Sequence, residues 1–114
     1  MVAPAAGAVV LVRFPFSDLS QTKLRPAVVL ALVGRGDCIL CQITSKSYGD
    51  PSAIELNNDA FASGSLRVVS YARPTKLFTA NENLITSQVA RLKPDALRII
   101  AQAVTRIVNA GNLP

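Results

Sequence analysis

The chain has no histidine and no tryptophan. Without imidazole, serine and cysteine triads, paired-histidine nucleases and histidine-based zinc sites are excluded, so any catalysis must draw on carboxylates, arginine, lysine, hydroxyls or tyrosine. Cysteine is almost absent too: Cys38 and Cys41 stand alone as a CxxC. Residues three apart on a strand face opposite sides, and neither a second CxxC nor a histidine completes a metal site, so both read as small apolar packing residues. No metal or other cofactor is expected. No apolar run approaches the roughly 18 residues of a membrane span. The opening MVAPAAGAVVLV has no Lys or Arg ahead of its apolar run, is broken by Pro4 and Gly7, and passes into a strand pattern ending at Arg13. That argues against an export signal and makes the cytoplasm the expected location.

Acidic side chains are scarce, with 7 Asp and Glu against 12 Lys and Arg, for a net charge of +5 and a pI near 9.8. Either the domain meets a polyanion, or it is a soluble protein that happens to be basic. Its 114 residues suit one domain over 1–114. Half of them are hydrophobic and only 17% charged, which points to a second subunit covering part of the apolar surface.

What the chain does have is concentrated in GAVVLVRFPFSDLSQTKLRPAVVL, Gly7 to Leu30. Two β-branched runs, Val9 to Phe16 and Pro26 to Leu32, flank a polar insert with Ser17, Asp18, Ser20, Gln21, Thr22, Lys23 and Arg25. The pattern predicts strand, loop, strand, with a loop too long for a tight hairpin turn. Pro26 biases Arg25 toward extended backbone and so presents it at the mouth of a strand.

Gly34 to Asp37 reads as a turn, and Cys38 to Thr44 as a strand on which Gln42 and Thr44 share a face. Ser45 to Ser52 reads as a polar loop, Ala53 to Leu56 as a short strand, and Asn57 to Gly64 as irregular. A fourth strand is predicted over Leu66 to Arg73, with Arg67, Tyr71 and Arg73 on one side, which suits either a nucleic-acid surface or a solvated edge; Pro74 then limits it. A last strand is predicted over Ser87 to Leu92. From Pro94 to Asn109 the period changes to helical, with Leu97, Ile100, Val104, Ile107 and Val108 as the apolar stripe and Gly111 just past the end. The expected fold is mainly β, a small barrel or half-barrel of about five to seven strands with a C-terminal helix as a lid.

The first block, together with CQITSK at Cys41 to Lys46, SYARPTKLFT from Ser70, and RLKPD near the end, resembles the PemK and MazF family of toxins from type II toxin-antitoxin pairs. The resemblance runs from about Gly7 to Arg106. It implies an SH3-like barrel of the CcdB, Kid and MazF kind. It also implies a homodimer that cuts single-stranded messenger RNA without a metal, leaving a cyclic phosphate, and a cognate antitoxin that blocks the groove. It places the catalytic arginine on Arg25 and the catalytic threonine on Thr44. Ser17, Asp18, Gln21, Thr22 and Lys23 in the first loop, with Gln42, Ser45, Lys46 and Arg73, become RNA-binding positions, Arg73 alternatively a structural arginine. Where several relatives carry acidic or amide side chains ahead of that arginine, this chain has Ser70, Tyr71 and Ala72, so the recognition sequence does not transfer.

Such cleavage uses the RNA's own 2′-hydroxyl as nucleophile, so the enzyme must supply charge stabilisation and proton transfer. Arg25 offers two parallel hydrogen bonds to phosphate and Thr44 a hydroxyl. Asp18 and Asp50 are the nearest carboxylates in sequence and the candidate general bases. Two other readings stay open: a non-enzymatic gyrase inhibitor like CcdB, although the chain lacks an aromatic C-terminal anchor, and a catalytically silent RNA-binding module.

Overall fold

The computed structural model describes residues 4–15, 22–47 and 49–111, with the side chains of residues 14, 15 and 22 outside that description. Seven strands, β1 (Ala8–Pro15), β2 (Thr22–Gly34), β3 (Asp37–Thr44), β4 (Ile54–Leu56), β5 (Phe61–Gly64), β6 (Ser70–Asn81) and β7 (Ile85–Leu92), precede one helix, α1 (Pro94–Gly111). They form one antiparallel sheet in the order β4-β6-β3-β2-β1-β7-β5. It is the mainly β half-barrel with a C-terminal helix that the sequence predicts.

The central strands bury both of their faces, which is why their sequences run apolar without alternating. Val9, Val28, Cys41 and Ile43 point into one cluster with Leu56, Phe61, Leu92 and Ile100 of α1. Val10, Val12, Ala27, Val29, Cys38 and Leu40 point into another, with Ala80 and Ile85. The two cysteines therefore sit in different clusters, as their three-residue spacing requires. Both are free thiols, and burial raises the pKa of each, Cys41 to about 12. Neither is a thiolate near neutral pH.

The β2–β3 hairpin closes with Arg35 and Gly36 at positive φ, 56° and 81°, between the paired Gly34 and Asp37. Two positive φ values in a two-residue loop match the right-handed twist of the flanking strands. In α1, Ile100 is fully buried and Ala103 nearly so, while Ile99 and Val108 are 53% and 56% exposed. Val108 thus falls outside the stripe expected of it. It lies about 80° around the helix from Ile100, at the margin of the face that meets the sheet.

Three further boundaries differ from the sequence reading. Thr22 and Lys23 already belong to β2, because β1 and β2 keep pairing as a two-stranded ribbon from Arg13↔Leu24 to Pro15↔Thr22. Backbone pairing sustains the ribbon whatever its side chains, so polarity alone suggests a loop there. The strand expected at Leu66 to Arg73 instead begins at Ser70 and passes through Pro74 to Asn81. It does so because Gln42 alone separates Cys41↔Leu77 from Ile43↔Ala72, so residues 73–76 bulge out of the ladder and Pro74 owes it no N–H. Finally, Phe61–Gly64, expected to be irregular, is an edge strand on β7.

Gly64 sits in the left-handed region at φ 66°, and a Cβ there would overlap the carbonyl oxygen of Val89. Gly49 has almost the same φ, 68°, with nothing within 4 Å of its missing Cβ. Gly49→Ala is expected to cost about 1 kcal/mol from backbone strain alone, and Gly64→Ala about 1–3 kcal/mol more from overlap. Denaturant unfolding of the two variants checks the difference.

Candidate active-site cleft

The register of β2 against β3 builds the site. Ala27↔Gln42, Val28↔Cys41 and Val29↔Leu40 are paired. Two residues beyond Ala27↔Gln42 in the same register stand Arg25 and Thr44, on the same faces of their strands as Ala27 and Gln42. Pro26 lies between, immediately before the first β2 residue paired with β3. On its far side, Thr44 pairs with Tyr71 at the start of β6.

A cleft of about 430 Å³ opens at this point, lined by Arg25, Pro26, Ile43, Thr44, Ser45, Lys46, Leu66, Arg67, Val68 and Ser70. It brings together Arg25, Thr44, Ser45 and Lys46, four of the residues singled out in the sequence. Lys23 precedes Arg25 by two residues on the same face of β2, and Gln42 precedes Thr44 likewise on β3; neither lines the cleft itself. Ser17, Asp18 and Gln21 lie outside the described residues, as does the side chain of Thr22.

Three of the lining side chains are cationic, Arg25, Lys46 and Arg67, and none of the described ones is a carboxylate. Three cationic side chains in one cleft attract anions. Thr44 is fixed by a short turn in which its Oγ1 accepts the backbone N–H of Lys46 at 3.2 Å. With its oxygen occupied on one side, the hydroxyl has its proton to donate on the other. A larger hollow of about 640 Å³ runs along the outer side of α1. Its described lining comes from that one helix, so nothing converges on it.

Arg67 and Ser70 complete the cleft, and sequence reading put neither there. Arg67 stands out by charge, but it lies ahead of β6, so parity along the expected strand gave it the wrong neighbours. Ser70 is nearly buried and donates its Oγ–H to the carbonyl of Val68 at 3.0 Å.

Arg73 is engaged elsewhere. Its Nε donates to Asp50 Oδ2 at 3.1 Å, with Arg73 and Asp50 side chains 19% and 9% exposed. Asp50 Oδ1 also accepts the N–H of Ser52 at 2.8 Å, and Cys41 Sγ donates to the carbonyl of Arg73 at 3.2 Å. These contacts clamp the chain after Thr44 onto the bulge of β6. The Ser52 N–H, then the Arg73 guanidinium and the Thr75 hydroxyl, hold the Asp50 carboxyl below its ordinary range. A carboxylate so stabilised is a weaker base, and its pairing with Arg73 holds Asp50 outside the described lining of the cleft. Among the described residues, no three His, Cys, Asp or Glu side chains gather where they could hold a metal ion.

The folded pKa of Asp50 lies below its unfolded value, so the clamp contributes stability above about pH 4 and loses it as pH falls through the folded pKa. Asp50→Asn is therefore expected to be less stable than the parent protein near pH 7, the gap narrowing steadily below about pH 4. Urea unfolding across that range measures it.

Solved structures with the same architecture extend over nearly the whole chain. A mycobacterial endoribonuclease in complex with its cognate antitoxin superposes with a TM-score of 0.72 at 15% identity, covering 100% of this chain and 98% of its own. A MazE-MazF crystal structure from Deinococcus radiodurans gives 0.72 at 19% identity over 95% and 97% of the two chains. The Mycobacterium tuberculosis toxin MazF-mt6 gives 0.69 at 13% over 90% and 96%. At such identities these likenesses speak to the fold. A search of curated proteins finds no match. A sequence profile of the PemK-like, MazF-like toxins of type II toxin-antitoxin systems matches residues 5–108. The chain belongs to that family of toxins.

Proposed function

We propose that this toxin is an endoribonuclease that cuts single-stranded messenger RNA with Arg25 and Thr44 as its catalytic residues. The observation that carries the reading is the convergence of Arg25 and Thr44 on one cleft just past the end of the β2–β3 ladder, with Lys46 and Arg67 in the same lining. The naming of mycobacterial relatives as endoribonucleases supports it at the level of the family.

In the proposed step the 2′-oxygen attacks the adjacent phosphorus while the bond from phosphorus to the 5′-oxygen breaks. A 2′,3′-cyclic phosphate and a 5′-hydroxyl result. Negative charge grows on the non-bridging oxygens in the transition state, where the Arg25 guanidinium places two parallel donors and Thr44 a third. The 2′-hydroxyl proton must pass to a base, and the 5′-oxygen must receive one. With Asp50 bound to Arg73, Asp18 is the carboxylate candidate that remains for the first transfer. Ser45, Lys46, Lys23 and Gln42 continue the polar surface from the cleft along the strands that carry the catalytic pair.

Two partners belong to the same proposal. A cognate antitoxin, as in the solved complexes of relatives, would meet the positive cleft with an acidic segment. A second copy of the chain would cover apolar side chains the fold leaves in water, among them Leu32 and Val33, 54% and 52% exposed. The cytoplasm, where messenger RNA is found, is the proposed place of action, and no helix among the described residues is long and apolar enough to cross a membrane.

Arg25 is exposed, and Arg25→Ala should stay folded while cleaving a long single-stranded RNA about 100- to 1000-fold more slowly. Thr44→Val, close in shape but without the hydroxyl, should lose about tenfold or more. Initial rates with parallel circular dichroism check both, and parent-like cleavage by Arg25→Ala would sink the catalytic assignment.

A further inference from the structure

We propose that Arg67 is a further RNA-binding residue, gripping the phosphate that flanks the scissile one, with Val68 beside it as an apolar rest for the adjoining base. The proposal rests on the reading of the cleft as an RNA site. Arg67 belongs to the segment joining β5, at one edge of the sheet, to β6, next to the other edge. This connection must cross the open side of the curled sheet. It does so beside Arg25 and Thr44, whose cleft Leu66, Arg67 and Val68 also line.

The crossing is held at two points on either side of Arg67. Leu66 packs against the main core cluster. The carbonyl of Val68 is held by the nearly buried Ser70 hydroxyl at 3.0 Å. An arginine between two anchored neighbours carries its charge on a fixed backbone, so gripping a ligand costs less ordering than it would on a loose loop. Arg67 itself is exposed. Among the described residues no carboxylate lies within 4.0 Å of its guanidinium, whereas Arg73 and Arg98 each have one at 3.1 Å.

Beside it, Val68 and Val69 are 59% and 51% exposed. Two β-branched apolar side chains in water at the rim of a cationic cleft suit a ligand that alternates anionic and flat apolar parts, as single-stranded nucleic acid does. Lys46, in the same lining, gives the strand a further cation beside Arg25. The phosphate held by Arg25 then has a neighbour within reach of Arg67, while the intervening base leans on Val68.

The test uses the whole protein and a single-stranded RNA methylated at every 2′-oxygen, which can bind but cannot be cut by the proposed chemistry. Fluorescence anisotropy across a salt series gives affinity and its salt slope. Arg67→Ala should weaken binding about tenfold to a hundredfold and lower the slope of log K against log salt by about 0.7. Arg67→Lys should restore the slope but only part of the affinity. Val68→Ser should weaken binding while leaving the slope alone. Parent-like affinity and slope in Arg67→Ala would overturn the proposal even if the parent cleaves RNA. Weakened binding by Arg67→Ala in a protein that never cleaves would leave Arg67 in place and remove the nuclease reading. A parent protein that binds no RNA would overturn both.

Discussion

The pairing of Ala27 with Gln42 carries more of this molecule than any side-chain contact. Once Val28 and Cys41 are committed to one apolar cluster and Ala27, Val29 and Leu40 to the other, β2 and β3 have no freedom to slip. A shift of one residue would turn every buried side chain of the strand toward the wrong face. Arg25 and Thr44 lie two residues past the last pair of that ladder and line one cleft. The site inherits its alignment from the burial of valines and leucines that never touch a ligand.

The rest of the sheet protects that alignment. A cluster on each face buries the middle of β1, β2 and β3, and the cleft forms where β2 and β3 run past their last shared pair. The wide bulge of β6 opposite Gln42 breaks the ladder beside the cleft and turns Arg73 toward Asp50. Cys41, packed in the core, holds the carbonyl of Arg73 from beneath. Core, bulge and the segment after Thr44 are thus tied together through groups that do no chemistry themselves, and Asp50 is spent as the anchor.

Much of this was legible from sequence because it depends on local pattern. The β-branched runs at Val9 and Ala27, the turn at Gly34 to Asp37, the spacing of the cysteines and the start of α1 at Pro94 all report physics contained in a few neighbouring residues. What escaped depends on partners far along the chain. The ribbon at Thr22 to Arg25 is a strand because β1 lies beside it, and Pro74 sits within β6 because Gln42 lets four residues bulge away. Arg25 and Thr44 were singled out in the sequence as separate residues. That they line one cleft was not legible, since it needs the register. Arg67 was noticed for its charge, but its place in the cleft depends on Ser70 holding Val68, a contact no periodicity announces.

If Arg25 and Thr44 serve a reaction in which the RNA attacks itself, the enzyme can do nothing where the 2′-hydroxyl is missing. The most direct measurement maps a cut site on natural RNA, then offers the same strand with one 2′-deoxy nucleotide on the 5′ side of that bond. The predicted result is cleavage of the natural strand to a cyclic phosphate end and no cleavage at the substituted bond. Cleavage of the deoxy strand at the same bond would contradict the account, because a nucleophile other than the 2′-oxygen would then be at work.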